Sequence, residues 1–87
     1  RIMAEDGTLG FAQIGMGVTP GWGGAERLYD LVGYAQAIDL LLSGRVIGGA
    51  EARRIGLANR LSPPGEALNT ALAIAGRLAS GPRLAVR

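Results

Sequence analysis

The sequence predicts an α/β chain, mostly helical, and three observations carry that prediction. Apolar residues recur at helical spacing over 24–32, 34–43 and 66–79. The apolar stretches at 1–5, 45–49 and 57–61 are too short for helices and read as extended segments. Gly or Pro stands at most boundaries between the two kinds of segment.

In chain order, residues 1–5 alternate weakly and end at Asp6 and Gly7, which predicts a short strand closed by a turn. Residues 9–18 are apolar but interrupted by Gly10, Gly15 and Gly17, so no periodicity develops; they read as a short extended segment running into a loop. Over 24–32, Ala25, Leu28, Leu31 and Val32 share a helix face, Glu26 suits the positive end of the helix dipole, and Gly33 stops or kinks the helix. Residues 34–43 put Ala37, Ile38, Leu41 and Leu42 on one face of a second helix closed by Gly44. A short extended linker, "RVIGG", leads to a helix over 50–55 that ends at Gly56, and "LANRL" follows as a short strand or extended arm. After Pro63 and Pro64, residues 66–79 form a helix whose stripe is Leu68, Ala71, Leu72, Ala75 and Leu78. The final five residues, "RLAVR", open another helix.

Composition bounds the function. A chain of 87 residues fits one small domain or part of a larger one, and a domain of that size buries only about 60–65% of its unfolded surface. The hydrophobic 48% comes chiefly from Ala and Leu; one Trp, two Tyr and one Phe exclude a large aromatic core. No Cys and no His are present, so disulfides, thiolate or imidazole metal sites and the commonest general base are all excluded, and no metal is expected. The basic residues are all Arg, scattered except for Arg53 and Arg54, and the net charge is only +2, so no nucleic-acid partner is expected. No window approaches the roughly 18–20 apolar residues that span a bilayer and none reads as a signal peptide, so the reading is a soluble, cytoplasmic protein. Residue 1 is Arg, and "RIMAED" begins in mid-strand, as in a piece cut from a longer chain.

The stretch "VTPGWGGAERL" places Gly21, Gly23 and Gly24 around Trp22 at the start of the first helix. Free N–H groups at a helix start attract anions, carbonyl oxygens or a polarised water, and glycines let such groups approach. The stretch is neither a phosphate loop nor a dinucleotide fingerprint, because it has no Lys and no acidic residue about 20 positions on. The other reading is a tight connection whose glycines permit positive φ and close helix packing.

The ordered motifs "RIMAEDGTLGFAQIGMGVTPGWGGAERLYDLVG" and "AIDLLLSGRVIGGAEARRIGLANRL", with a helix ending before "GPRLAVR", resemble the crotonase family of enoyl-CoA hydratases and isomerases over essentially all 87 residues. The family's strand "rIaaedA", its "PGxGG" helix start, its "LLLTG" helix end and its "A-x-x-A-x-x-xGLV" element correspond to residues 1–7, 20–24, 40–44 and 50–57. The resemblance implies a partial crotonase-like domain spanning 1–87, a middle-to-late, C-terminal-half portion of a spiral of β-β-α units. It implies an acyl-CoA thioester as substrate, with CoA entering as part of the substrate and no separate cofactor. The enolate-like intermediate is held by two backbone N–H groups in segments of the family outside this chain, as is the first catalytic Glu. On that ground the 87-residue piece alone is expected to be inactive. A homo-oligomer, trimer or hexamer, is implied for the complete protein.

Residue by residue, the "FGxPE" stretch that carries the second catalytic Glu of the hydratases falls on Leu9, Gly10 and Gln13, so an amide replaces the base. Gln cannot act as general acid or base, but it can orient a water or a thioester substituent. The first N–H of "PGxGG", which helps hold the attacking water, falls on Gly21. The candidate catalytic residues are therefore Gln13 and Gly21, and the candidate substrate-binding residues are Phe11, Met16, Trp22 and Gly23. Trp22 either shapes the acyl pocket or caps a hydrophobic seam. Two alternatives remain: a decarboxylase of malonyl-type CoA esters, for which a base-free apolar site is suited, and a non-catalytic remnant or oligomerisation module. Elsewhere, Arg27 and Asp30 are expected to form a solvated pair, Tyr29 and Tyr34 to pack, Arg53 and Arg54 to be solvated or paired rather than bound to a CoA phosphate, and Glu51 and Glu66 to serve the helix dipoles.

Overall fold

The structure is a computed structural model that describes residues 1–86. Its elements in chain order are β1 (Ile2–Ala4), β2 (Thr8–Leu9), a 3-10 turn (Ala12–Met16), α1 (Gly24–Val32), α2 (Tyr34–Ser43), β3 (Ile47–Gly48), α3 (Gly49–Arg54), β4 (Arg60–Ser62), α4 (Ala67–Ala79) and α5 (Arg83–Val86). The α/β expectation holds, and the three longest helices match their predicted spans to within a residue. The 3-10 turn was not expected: with Gly15 inside it and no apolar period around it, residues 12–16 carry no helical signal. Arg87, the last residue of the expected final helix, lies outside the described residues.

The strands form two small sheets. β1 pairs in parallel with β4, Ile2 opposite Arg60, Met3 opposite Leu61 and Ala4 opposite Ser62. The ladder continues past both ends through Asn59 N–H to Arg1 O and Glu5 N–H to Ser62 O, each 2.8 Å. β2 pairs antiparallel with β3, Thr8 opposite Gly48 and Leu9 opposite Ile47. Parallel pairing of β1 with β4 needs a long crossover, and α1, α2, β3 and α3 all lie within it.

Those crossover elements build the core. Leu28 of α1, Ala37, Leu40 and Leu41 of α2, Ile47 of β3, Ala52 of α3 and Ala58 are buried together, with Met3, Leu9, Phe11, Tyr29 and Ile55 among the half-buried residues packed against them. Full burial of a Leu or Ile contributes about 1.5–3 kcal/mol, so Leu28, Leu40 and Ile47 are the main anchors. The α2 face differs from the expected one: Leu40 replaces Leu42, which is exposed, and Ile38 is half-buried. The packing partner lies beside the 37–40–41 edge of the helix, and spacing alone does not say which edge of a broad apolar stripe meets it.

Gly33, at φ 84° and ψ 163°, both ends α1 and begins α2. That backbone is closed to most side chains, and it turns the helices so sharply that Tyr29 and Tyr34 stack across the corner, ring centroids 5.6 Å apart and 19° from parallel. Tyr29 packs against the core as expected, whereas Tyr34 stacks on Tyr29 but is 72% exposed.

Helix α4 lies over β1 and β4 and presents Ala67, Thr70, Ala71 and Ile74 as its half-buried residues. The predicted stripe is not its covered face: Leu68, Leu72 and Leu78 are exposed, and α4 contains no buried residue. No helix among the described residues is long and apolar enough to cross a membrane.

Candidate functional site at the opening of the first long helix

The turn ahead of α1 is built by three glycines for three reasons. Gly23 stands at the helix start with φ 75°, a conformation that costs an L side chain roughly 1–2 kcal/mol. At Gly24 a Cβ would lie 3.0 Å from Pro20 Cβ, so its absence allows close packing. Gly21 has neither constraint: its φ is not positive, and a Cβ there would meet no atom within 4 Å. The connection reading thus accounts for Gly23 and Gly24, and it leaves Gly21 facing open space.

No side chain caps α1, and among the described residues no backbone acceptor takes the N–H of Gly21, Trp22 or Gly23. The Gly24 N–H, at the first helical position, donates to Gly21 O (3.0 Å), and the three amides without a backbone acceptor lie at and just ahead of the helix start, whose partial positive charge favours an oxyanion or a polarised water. Between the two outer glycines Trp22 adopts φ 58° and is 97% exposed. A bulky residue in the left-handed region is a local strain, and here no burial offsets it.

Gln13 sits in the 3-10 turn. Its backbone oxygen accepts from the N–H of Gly17 and from that of Val18 (3.2 Å), which ties the turn to the segment leading to Pro20. The side-chain Oε1 is enclosed and has no hydrogen-bond partner among the described residues. An enclosed carbonyl left without a donor costs about 1–3 kcal/mol, a cost that a rotation of the Gln13 side chain bringing Oε1 out to a donor would relieve.

The other candidates separate. Met16 shares the turn with Gln13 and is 69% exposed. Phe11 immediately precedes the turn but packs on the core, and it lines a pocket of about 380 Å³ with Ile2, Met3, Leu9, Leu57 and Ala58. That pocket takes none of Gln13, Met16, Gly21, Trp22 and Gly23. Met16 and Trp22 stand open rather than walling a cavity.

The charged residues hold one arrangement that the sequence reading missed. Arg45 donates from Nε to Asp39 Oδ2 (2.8 Å) and from Nη1 and Nη2 to the two oxygens of Glu51 (2.9 and 2.6 Å), and Arg54 lies 3.5 Å from Glu51. The hydrogen bonds from Arg45 hold the Glu51 carboxyl below its ordinary range, against partial desolvation, and those to Glu51 and then Asp39 raise the Arg45 guanidinium further. Glu51 is therefore an ion-pair partner and not merely a dipole residue. Arg45 is six residues from each partner, a spacing that no single helix brings together. The expected Arg27 and Asp30 pair is not among the ion pairs of the described residues; the Arg27 guanidinium instead lies over Gly23, its Nε 3.8 Å from where a Cβ would be. Among the described residues no group of three or more acidic, His or Cys side chains is placed to hold a metal.

Comparison with known proteins bears on the family and the fold. The family described as enoyl-CoA hydratase/isomerase matches residues 1–87. A crotonyl-CoA hydratase of Syntrophomonas wolfei subsp. wolfei is 46% identical over 87 residues, covering all of this chain and 34% of that protein. A short-chain-enoyl-CoA hydratase of Clostridium acetobutylicum is 40% identical over the same length, 33% of that protein. Among solved structures, an enoyl-CoA hydratase from Bacillus anthracis superposes with a TM-score of 0.91 at 36% identity, over 99% of this chain and 33% of that one. The chain thus spans about a third of the length of these relatives.

Proposed function

The chain belongs to the enoyl-CoA hydratase/isomerase family, and on that premise we propose that it supplies one wall of the acyl site of an enzyme acting on acyl-CoA thioesters through a stabilised enolate. The opening of α1 carries the reading: bare amides, no side chain at Gly21 and nothing within 4 Å of where one would stand. In hydration, OH adds to C3 and H to C2 of an enoyl thioester. The Gly21 N–H and the Gln13 amide orient the water; Gln13 moves no proton, because an amide does not titrate near neutrality. The carboxylate that moves it and the N–H groups that hold the enolate oxygen belong to residues beyond this chain, so the 87-residue piece alone is inactive.

Gly23 gives the turn its shape, and Met16 and Trp22 lie against the acyl chain, where burial on binding would offset their present exposure. Phe11 backs the Gln13 turn from the core side. CoA enters as part of the substrate, and no separate cofactor is used. The complete protein is a cytoplasmic trimer or hexamer. The hydratase names of the relatives favour this reading over decarboxylation and over a non-catalytic remnant.

The test is crotonyl-CoA hydration by the full-length protein. Gln13→Ala should lower kcat about tenfold, the equivalent of one hydrogen bond of ~1.4 kcal/mol, and Gln13→Glu should raise it by adding a titrating group. Unchanged kcat in both variants rules out a role for Gln13 at the reacting atoms.

A further inference from the structure

We propose that the Arg45 and Glu51 ion pair, with Asp39 as second acceptor, positions Gln13 by fixing the 44–48 segment against which the Gln13 turn is set. The inference rests on the reading of Gln13 given above.

Three observations lead to it. First, Gln13 is aimed by its backbone alone: its Oε1 has no partner among the described residues, and the 3-10 turn that bears it has no buried residue and no side-chain cap. Isolated 3-10 turns are weak, so their geometry depends on what they lean against. Second, this turn and the strand before it meet the 44–48 segment repeatedly. A Cβ on Gly44 would lie 3.0 Å from Ile14 Cγ2 and 3.6 Å from Phe11 O. A Cβ on Gly10 would lie 3.3 Å from Val46 Cγ2 and 3.4 Å from Arg45 O. Thr8 and Leu9 pair with Gly48 and Ile47. Such contacts leave the Gln13 turn little freedom to move unless the segment moves with it.

Third, residues 44–46 belong to neither helix nor strand and depend on side chains for their shape. Gly44 N–H reaches Leu40 O (3.2 Å), and the Arg45 fork then ties the segment to α2 through Asp39 and to α3 through both oxygens of Glu51. A bidentate guanidinium-carboxylate pair fixes direction as well as distance. Arg45 and Glu51 are thus positioning residues, acting on the substrate only through Gln13.

The experiment is a double-mutant cycle in the full-length protein, reading kcat and KM for crotonyl-CoA in wild type, Gln13→Ala, Glu51→Gln and the double variant. Glu51→Gln is expected to lower kcat about three- to tenfold, inside the ~10²-fold that a 1 Å misplacement can cost, with KM within about twofold. In the Gln13→Ala background the same substitution should cost less than about 1.5-fold, because the residue it acts through is gone. Glu51→Asp, which keeps the charge, should restore most of the loss. An equal loss in both backgrounds, or wild-type kcat in folded Glu51→Gln, overturns the inference. If Gln13→Ala alone leaves kcat unchanged, the reading of Gln13 fails first and the inference falls with it. Should Glu51→Gln fail to fold, Asp39→Asn, which weakens a single contact of Arg45, enters the same cycle: a loss confined to the Gln13 background supports the inference, and an equal loss in both backgrounds overturns it.

Discussion

Helices α2 and α4 are both rich in Ala and Leu, yet α2 sends Ala37, Leu40 and Leu41 into the core while α4 has no buried residue. The two differ in what surrounds them. α2 lies within the crossover, between α1 on one side and the Gln13 turn on the other, so one edge is enclosed whatever else the protein contains. α4 packs chiefly on the narrow β1 and β4 pair, with Ala67, Thr70, Ala71 and Ile74 half-buried and the larger leucines left outside. An apolar stripe records that a face is to be covered, and the neighbouring elements determine by what.

The largest effect that would test this contrast is in the core. Leu40→Ala in the full-length protein should destabilise by about 2–5 kcal/mol in denaturant unfolding, since the site is fully enclosed and cannot collapse freely. A loss below ~1 kcal/mol would mean that the α2 packing is misassigned. On the other helix, the 87-residue chain by itself should bind a hydrophobic dye and melt broadly. Replacing Leu68, Leu72 and Leu78 together with Gln should lower the dye fluorescence measurably, because these exposed side chains supply the apolar surface of α4, alongside others such as Trp22 and Met16 elsewhere. Undiminished fluorescence would place that surface elsewhere.

A smaller effect lies in the ion pairs that join α2 to α3 through Arg45. Because Arg45 lowers the Glu51 carboxyl below its ordinary value of 4.5, the pair contributes stability that is fully present above that value and is lost as pH falls through the lower folded one. Glu51→Gln should therefore lower the unfolding midpoint at pH 7, and the gap to wild type should close as the pH is brought below about 4.5. A gap that persists undiminished at pH 2 would show that the loss is steric.

Much of this was legible in the residues themselves. Gly33 and Gly44 bounded α1 and α2 because a helix ends where only glycine accepts the required φ, and the glycines before α1 marked the candidate site. What was not legible is non-local. The Gln13 turn has no period of its own, Leu40 rather than Leu42 is buried because of neighbours far along the chain, and Arg45 finds Asp39 and Glu51 only once α2 and α3 are placed. The parallel register of Ile2 with Arg60 likewise joins segments that share no local signal.

Gly21→Ala in the full-length protein bears most directly on the role given to the opening of α1. The added methyl meets nothing in the chain and the backbone there is not in the left-handed region, so the melting temperature should match wild type, while crotonyl-CoA hydration should fall by up to about 10²-fold as the approach of water and acyl group is obstructed. Wild-type turnover in that variant would contradict the account, because it would mean that no reacting group comes close to Gly21, the glycine of the turn that neither positive φ nor packing requires.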